Sequence, residues 1–240
     1  MQAFTKRNVK EILRDPLTLG FGIGFPVVLL LLLSAIQANV PVEIFNIESL
    51  TPGIIVFGFS FIALFSATLI SKDRSTSFMT RLYASPLKAS EFIFAYTLPQ
   101  LPMALGQITV CFAFAFILGL KPSAGVLLCM AVSLPSAWLF IGLGLLCGSL
   151  LNDKQVGGIC GALLTNLSAW LSGTWFDLDL VGGTFKKIAE IFPFCHAVEA
   201  GRAALALNFS GIFPDLWWVA AYALAINILA VWVFTKKMHS

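Results

Sequence analysis

The sequence predicts an all-α polytopic membrane protein, and three observations carry that prediction. The 240 residues are 58% hydrophobic and 11% charged, giving a mean hydropathy of +0.90 that no water-soluble fold of this size could bury. The charges are spaced so that six intervals, 16–42, 49–71, 92–120, 122–152, 155–176 and 216–235, hold no Asp, Glu, Lys or Arg. Each reaches the ~20 residues that a helix rising ~1.5 Å per residue needs to cross a ~30 Å hydrocarbon core. Runs such as VVLLLLL at 27–33 lack the two-residue alternation of a membrane β-barrel, whereas a helix satisfies every backbone polar group within its own segment. Six spans follow, with 1–240 as a single transmembrane domain; no internal repeat or polar linker marks a second one.

Lys6, Arg7, Lys10 and Arg14 precede the first apolar interval but are mixed with Glu11 and Asp15, and LLLSAIQANV lacks a small-x-small cleavage site. The leading segment is therefore expected to stay rather than to be cleaved as a signal peptide. Pro26 falls in the first span, Pro99 and Pro102 in the third and Pro135 in the fourth; each either kinks its helix or is a passive packing feature. Thr51 and Pro52 read as N-cap and first turn of the second span, and Lys121-Pro122-Ser123 as the turn between the third and fourth.

Between the second and third spans, residues 72–91 gather Lys72, Asp73, Arg74, Arg81, Lys88 and Glu91. Within them Phe78, Met79, Leu82 and Tyr83 recur at helical spacing, and Ser85-Pro86 ends the helix. Such a helix can lie on the bilayer, its cations drawn to anionic lipid, or present its ridge to a partner. The fifth span carries Thr165, Asn166, Ser168, Ser172 and Thr174, with 165, 168 and 172 roughly on one face. That face reads as a path lining, as the surface meeting a second copy, or as hydrogen bonding within one subunit. Gly20-xxx-Gly24, Gly144-xxx-Gly148 and Gly157-xxx-Gly161 permit close helix approach. The loop 177–213 exceeds a turn and is apolar enough to form short helices of re-entrant type, broken at Pro193; Trp175, Trp217 and Trp218 fall at interface depth.

Alternate threading puts the N-terminal segment, the 72–91 loop, the loop after the fourth span and the C-terminus on one side. Eleven Lys and Arg lie there and four on the other, so both termini are expected in the cytoplasm and 177–213 outside it. Charge-free spans argue against a proton-coupled carrier, although a facilitator or channel not driven by ATP remains a rival reading. With histidines only at 196 and 239, no intramembrane catalytic pair is expected. His196 and Glu199 stand one turn apart, which reads as a solvated face rather than a metal site, and the five cysteines form no CxxC pair. No catalytic residue, cofactor, metal or nucleic-acid partner is expected.

KEILRDPLTLGFGIGFPVVLLLLL, with Arg14, Asp15, Pro16 and Pro26, resembles the start of permease subunits of type 2 ATP-binding-cassette transporters, where an amphipathic helix leads into the first span. Lys72, Asp73, Leu82, Pro86 and Glu91 match the family's interval between spans two and three in place and character, while Ser77, Phe78 and Thr80 depart from it. Ser172, Gly173, Trp175, Phe176, Phe192, Pro193 and Arg202 are similar to its turn and outer segment after the fifth span. The resemblance implies an N-terminal interface helix at 1–18 and a coupling helix through which Asp73, Arg74, Phe78, Met79, Arg81, Leu82 and Tyr83 meet a separate ATPase subunit. It also implies an outer gate at Trp175, Phe176, Phe192 and Pro193, and a second permease copy beside Thr165, Asn166, Ser168 and Ser172. The sequence holds no G-x-x-x-x-G-K-[ST] loop, so ATP hydrolysis is expected in that separate polypeptide. An exporter of a prokaryotic plasma or inner membrane is the resulting expectation.

Overall fold

A computed structural model describes residues 2–40, 45–76 and 89–238, and every regular element among them is helical. Helix α1 (Gln2–Arg14) turns Phe4, Asn8 and Ile12 inward, one residue per turn. Asp15 then separates it from α2 (Pro16–Gln37) and caps that helix by accepting from Leu17 N. Within α2 the ladder widens to π-helical turns over Gly20–Gly24, immediately before Pro26.

The centre of the bundle is α3 (Ile47–Ser75), buried on nearly every side. Its sequence is apolar all round, which is what a helix surrounded by other helices requires. It begins earlier than Thr51 and Pro52 suggested: Asn46 is the N-cap, accepting from Glu48 N at 3.1 Å. Thr51 instead donates back to Ile47 O at 2.7 Å, and Pro52 lies inside the helix.

The third apolar interval is two helices, α4 (Ala89–Thr97) and α5 (Gln100–Ile117), separated by a turn at Leu98 and Pro99. Pro102 and Pro135 are accommodated inside helices, the latter in α6 (Ala124–Leu150). Helix α7, 153–170, opens on an Asn152–Gln155 capping box, widens to a π-helix over Gly157–Leu164 and closes as Thr165–Trp170. Three shorter helices follow the turn at 171–176: α8 (Leu178–Val181), α9 (Gly183–Ile191) and α10 (Pro193–Leu205), then α11 (Phe209–Met238).

Five helical stretches are long and apolar enough to cross a membrane: α2, α3, α4 with α5, α6 and α11. The fifth predicted interval, 155–176, instead yields α7, whose first turn is polar and which stops short at Trp170. Even so, α7 runs between the same two ends of the bundle as its neighbours. At its start Ser71 Oγ donates to Asp153 Oδ1 at 3.4 Å; beyond its end Arg202 reaches both Gly173 O and Ser49 O at the opposite pole of α3.

The Gly144 and Gly148 pair is where α3 and α6 touch. A Cβ on Gly148 would lie 2.8 Å from Ala67 O and from Ile70 Cβ, and one on Gly144 would lie 2.8 Å from Ala63 O. The other two glycine pairs do not pack this way: Gly20, Gly24 and Gly157 have open space, and Gly161 meets Leu64 only at ordinary contact distance.

Candidate functional site

At one end of the bundle α1, the end of α3, α4, the end of α6 and the end of α11 converge. Phe4 sets its ring edge-on to Phe92 and Tyr96 at 5.9 and 5.0 Å, and Phe234 of α11 closes the same aromatic cluster. Asp73, 4% exposed, sits inside this packing. Arg7 meets it in a fork, Nη1 to Oδ2 at 2.5 Å and Nη2 to Oδ1 at 2.8 Å, and Tyr96 Oη donates to Oδ2 at 2.9 Å. Arg7 also pairs with Glu11 at 2.8 Å, and Asn8 Nδ2 donates to Ala95 O at 2.8 Å. Burial alone would lower the Arg7 pKa, but the Asp73 carboxylate beside it raises it on balance. The result is a charged clamp joining the N-terminal helix to Asp73 at the start of the 72–91 segment and to α4 just beyond its end.

Arg74 turns the other way. Its Nη1 donates to Gly148 O at 2.7 Å and Leu151 O at 3.4 Å, occupying carbonyls left open where α6 ends. Of the residues expected to meet an ATPase, Asp73 and Arg74 thus have their side chains engaged within the chain; Phe78, Met79, Arg81, Leu82 and Tyr83 lie outside the described residues.

The fifth-span set divides. Thr165, Ser168 and Ser172 are buried, and their hydroxyls donate to Cys160 O, Thr165 O and Ala169 O at 3.0, 2.9 and 3.0 Å. Asn166 is exposed, on the open side of α7 with Gly158, Ala162 and Leu163, and its amide donates to Ala162 O at 2.8 Å.

The opposite end of the bundle holds a cleft of about 890 Å³, lined among others by Trp175, Phe176, Lys186, His196, Arg202 and Asp215. Trp175 packs edge-on to Phe57 at 5.5 Å and Phe176 against Phe185 at 6.1 Å. Phe192 stacks on Phe194 at 6.0 Å, and Pro193 is the buried first residue of α10. The four expected gate residues therefore share this end without stacking on one another. Arg202 organises the cleft through Nε to Ser49 O at 3.1 Å, Nη2 to Gly173 O at 3.0 Å and Nη1 to Glu199 at 2.6 Å.

His196 is not the solvated residue that the sequence suggested. Its Nδ1 faces Asp215 Oδ1 at 2.6 Å and its Nε2 faces Glu190 O at 2.8 Å, while Lys186, Glu199 and Arg202 line the same cleft. Both ring partners are acceptors, so only the imidazolium can donate to both. Burial lowers its pKa, but the bonds to Asp215 and to the Glu190 carbonyl raise it on balance above 6.5. A raised folded value means the link contributes fully below the unfolded value and is lost as pH rises through the folded one. Hydrogen-exchange protection factors in α9 and α10 are expected to fall as pH rises above the ordinary histidine value of about 6.5, and His196→Gln to remove that dependence. Among the described residues no three metal-ligating side chains come together.

The sequence reading missed Arg7, Asn8 and Tyr96 at the first end and the His196–Asp215 pair at the second. Asn8 was the available signal, because a polar residue in the inward series Phe4, Asn8, Ile12 demands a buried partner.

Comparison with known proteins gives one family. The model for the ABC-2 type transporter matches residues 1–206. ABC transporter G family member 20 of Dictyostelium discoideum is 25% identical over 193 residues, covering 78% of this chain and 26% of that protein. A Porphyra purpurea protein named "Putative transport permease ycf38" is 27% identical over 214 residues, covering 84% of this chain and 72% of that one. The chain thus spans about a quarter of the first relative's length.

Proposed function

Because the chain belongs to the ABC-2 type transporter family, whose members are membrane transport components, we propose that it is the permease subunit of an ATP-driven exporter. In this reading two copies enclose the path, six helices per copy cross the bilayer, with α7 as the fifth, and both termini face the cytoplasm of a prokaryotic cell. Movement of a separate ATPase subunit enters through residues 72–91, with Phe78, Met79, Arg81, Leu82 and Tyr83 as its contacts. Asp73 and Arg74 act one step behind them, as positioning residues.

The observation that carries this reading is the Arg7–Asp73–Tyr96 clamp. A segment that receives force must transmit it, and here its two flanks are fixed to α1, α4 and, through Arg74, to α6. The opposite cleft is the outer gate in the same reading, tied to α3 by Arg202. The exposed side of α7 around Asn166 faces the second copy, where the amide's remaining polar capacity finds partners in place of lipid.

Co-expression with ATP-binding-cassette ATPase subunits is the test. One of them is expected to co-purify, and proteoliposomes holding the pair to move cargo uphill only with ATP. Arg81→Glu with Tyr83→Ala is expected to leave membrane insertion intact and cut transport per ATP hydrolysed at least tenfold. Uphill transport by the chain alone, or full coupling in that double variant, overturns the proposal.

A further inference from the structure

The surface of α1 that faces away from the bundle carries a groove of about 690 Å³ lined by Ala3, Lys6, Arg7, Lys10, Glu11, Arg14 and Asp15. Six of those seven side chains are charged, but they are not equally available. Arg7 is held by Asp73 and Glu11. Asp15 accepts from Leu17 N at 3.1 Å and from Thr18 Oγ1 at 2.7 Å. Both carboxylates of the groove are therefore occupied within the chain. Lys6, Lys10 and Arg14, four residues apart along one exposed strip, pair with no carboxylate among the described residues. Next to them Leu13 and Leu17 are 62% and 63% exposed. The first membrane-crossing helix starts at Pro16, two residues beyond Arg14, so the groove lies where the bilayer surface meets the chain.

A strip of three cations flanked by exposed leucines, at the level where a span begins, has the chemistry of an anionic amphiphile: a phosphate for the cations and acyl carbons for the leucines. We propose that this groove is a binding site for an anionic phospholipid of the surrounding membrane, held at its phosphate by Lys6, Lys10 and Arg14. An acidic partner protein would match the cations but leave Leu13 and Leu17 in water, which is why the lipid is the occupant argued for. The inference rests on membership of a membrane family and not on the ATPase reading.

The test uses the full chain, delipidated in detergent and then offered equal amounts of phosphatidylglycerol and phosphatidylcholine, with the retained ratio measured by mass spectrometry. The wild type is expected to retain phosphatidylglycerol selectively. A cation near an anionic lipid surface is worth about fivefold, so Lys6→Ser should cut the preference about fivefold. The triple variant Lys6→Ser/Lys10→Ser/Arg14→Ser should cut it on the order of a hundredfold. Lys6→Arg/Lys10→Arg should keep it, and Lys121→Ser/Lys187→Ser, exposed lysines at the opposite end, should leave it unchanged. Size-exclusion elution and helical circular dichroism establish that each variant is folded. A wild-type ratio in the folded triple variant overturns the site, as does an equal loss in the distal control. Displacement of the lipid by millimolar inorganic phosphate overturns the lipid assignment. Unchanged lipid retention with weakened ATPase-subunit binding assigns the strip to that protein and overturns the proposal equally.

Discussion

Gly148→Val is expected to destabilise the fold markedly, whereas Gly158→Val, ten residues further along the chain, is expected to leave its stability unchanged. The difference lies in what each new side chain meets. At Gly148 a Cβ alone would lie 2.8 Å from Ala67 O, 2.8 Å from Ile70 Cβ and 3.0 Å from Ala67 Cα. Two of those atoms are backbone of the central helix, which cannot swing aside as a long side chain can. At Gly158 nothing lies within 4 Å. Overpacking costs roughly 1–3 kcal/mol where neighbours can yield, so a valine against rigid backbone belongs at about 3 kcal/mol. For a chain of this size that is a fall of roughly 6–12 °C in Tm, measurable by intrinsic fluorescence in detergent. Gly144→Val, aimed at Ala63 O and Ser66, should behave like Gly148→Val. Equal tolerance at 148 and 158 would mean that α3 and α6 are not in backbone contact. If α7 faces a second copy, Gly158→Val should further weaken pairing between copies while leaving each copy's Tm unchanged.

The two glycine classes also mark what the sequence could convey. Small residues four apart say that something can come close, but not which helix or whether any does. Of the three glycine pairs read from the sequence, Gly144 and Gly148 alone form a close helix contact within the described chain. The hydroxyls of α7 teach the same point. Thr165, Ser168 and Ser172 align on one face, and alignment is all that periodicity reports; in a helix each can satisfy itself on a preceding carbonyl, and here each does. Span positions, by contrast, were legible, because the bilayer acts on composition over twenty residues at a time. The exception is α7. Its charge-free interval ran on to 176, but Gly173 adopts a φ of +67°, a left-handed turn that ends the segment early. Long-range polar pairs were the least legible. Arg7 and Asp73 stand 66 residues apart, and nothing local to either announces the other.

Removing that pair one partner at a time gives the second large effect. Asp73→Ala is expected to be the most damaging single change at the α1 end, and more damaging than Arg7→Ala. Asp73 is 4% exposed and anchors three donors, two from Arg7 and one from Tyr96. Without it the guanidinium and the buried phenol lose their acceptor together. Breaking a buried pair typically costs 3–5 kcal/mol. The Arg7 side chain is 33% exposed and can partly return to water, which brings the figure for Asp73→Ala to about 2–3 kcal/mol. Asp73→Asn keeps one acceptor and should lose less. Because the two residues act through each other, the double variant Arg7→Ala/Asp73→Ala should cost clearly less than the sum of the singles, with a coupling energy on the order of 1–2 kcal/mol. Additive costs would mean that the clamp is not a unit. Function separates stability from role: in folded Asp73→Asn reconstituted with an ATPase subunit, ATP hydrolysis should continue while transport per ATP falls, because α1 is no longer fixed to the segment that moves. Transport and hydrolysis falling in the same proportion would leave the clamp a structural tie and remove it from the coupling route.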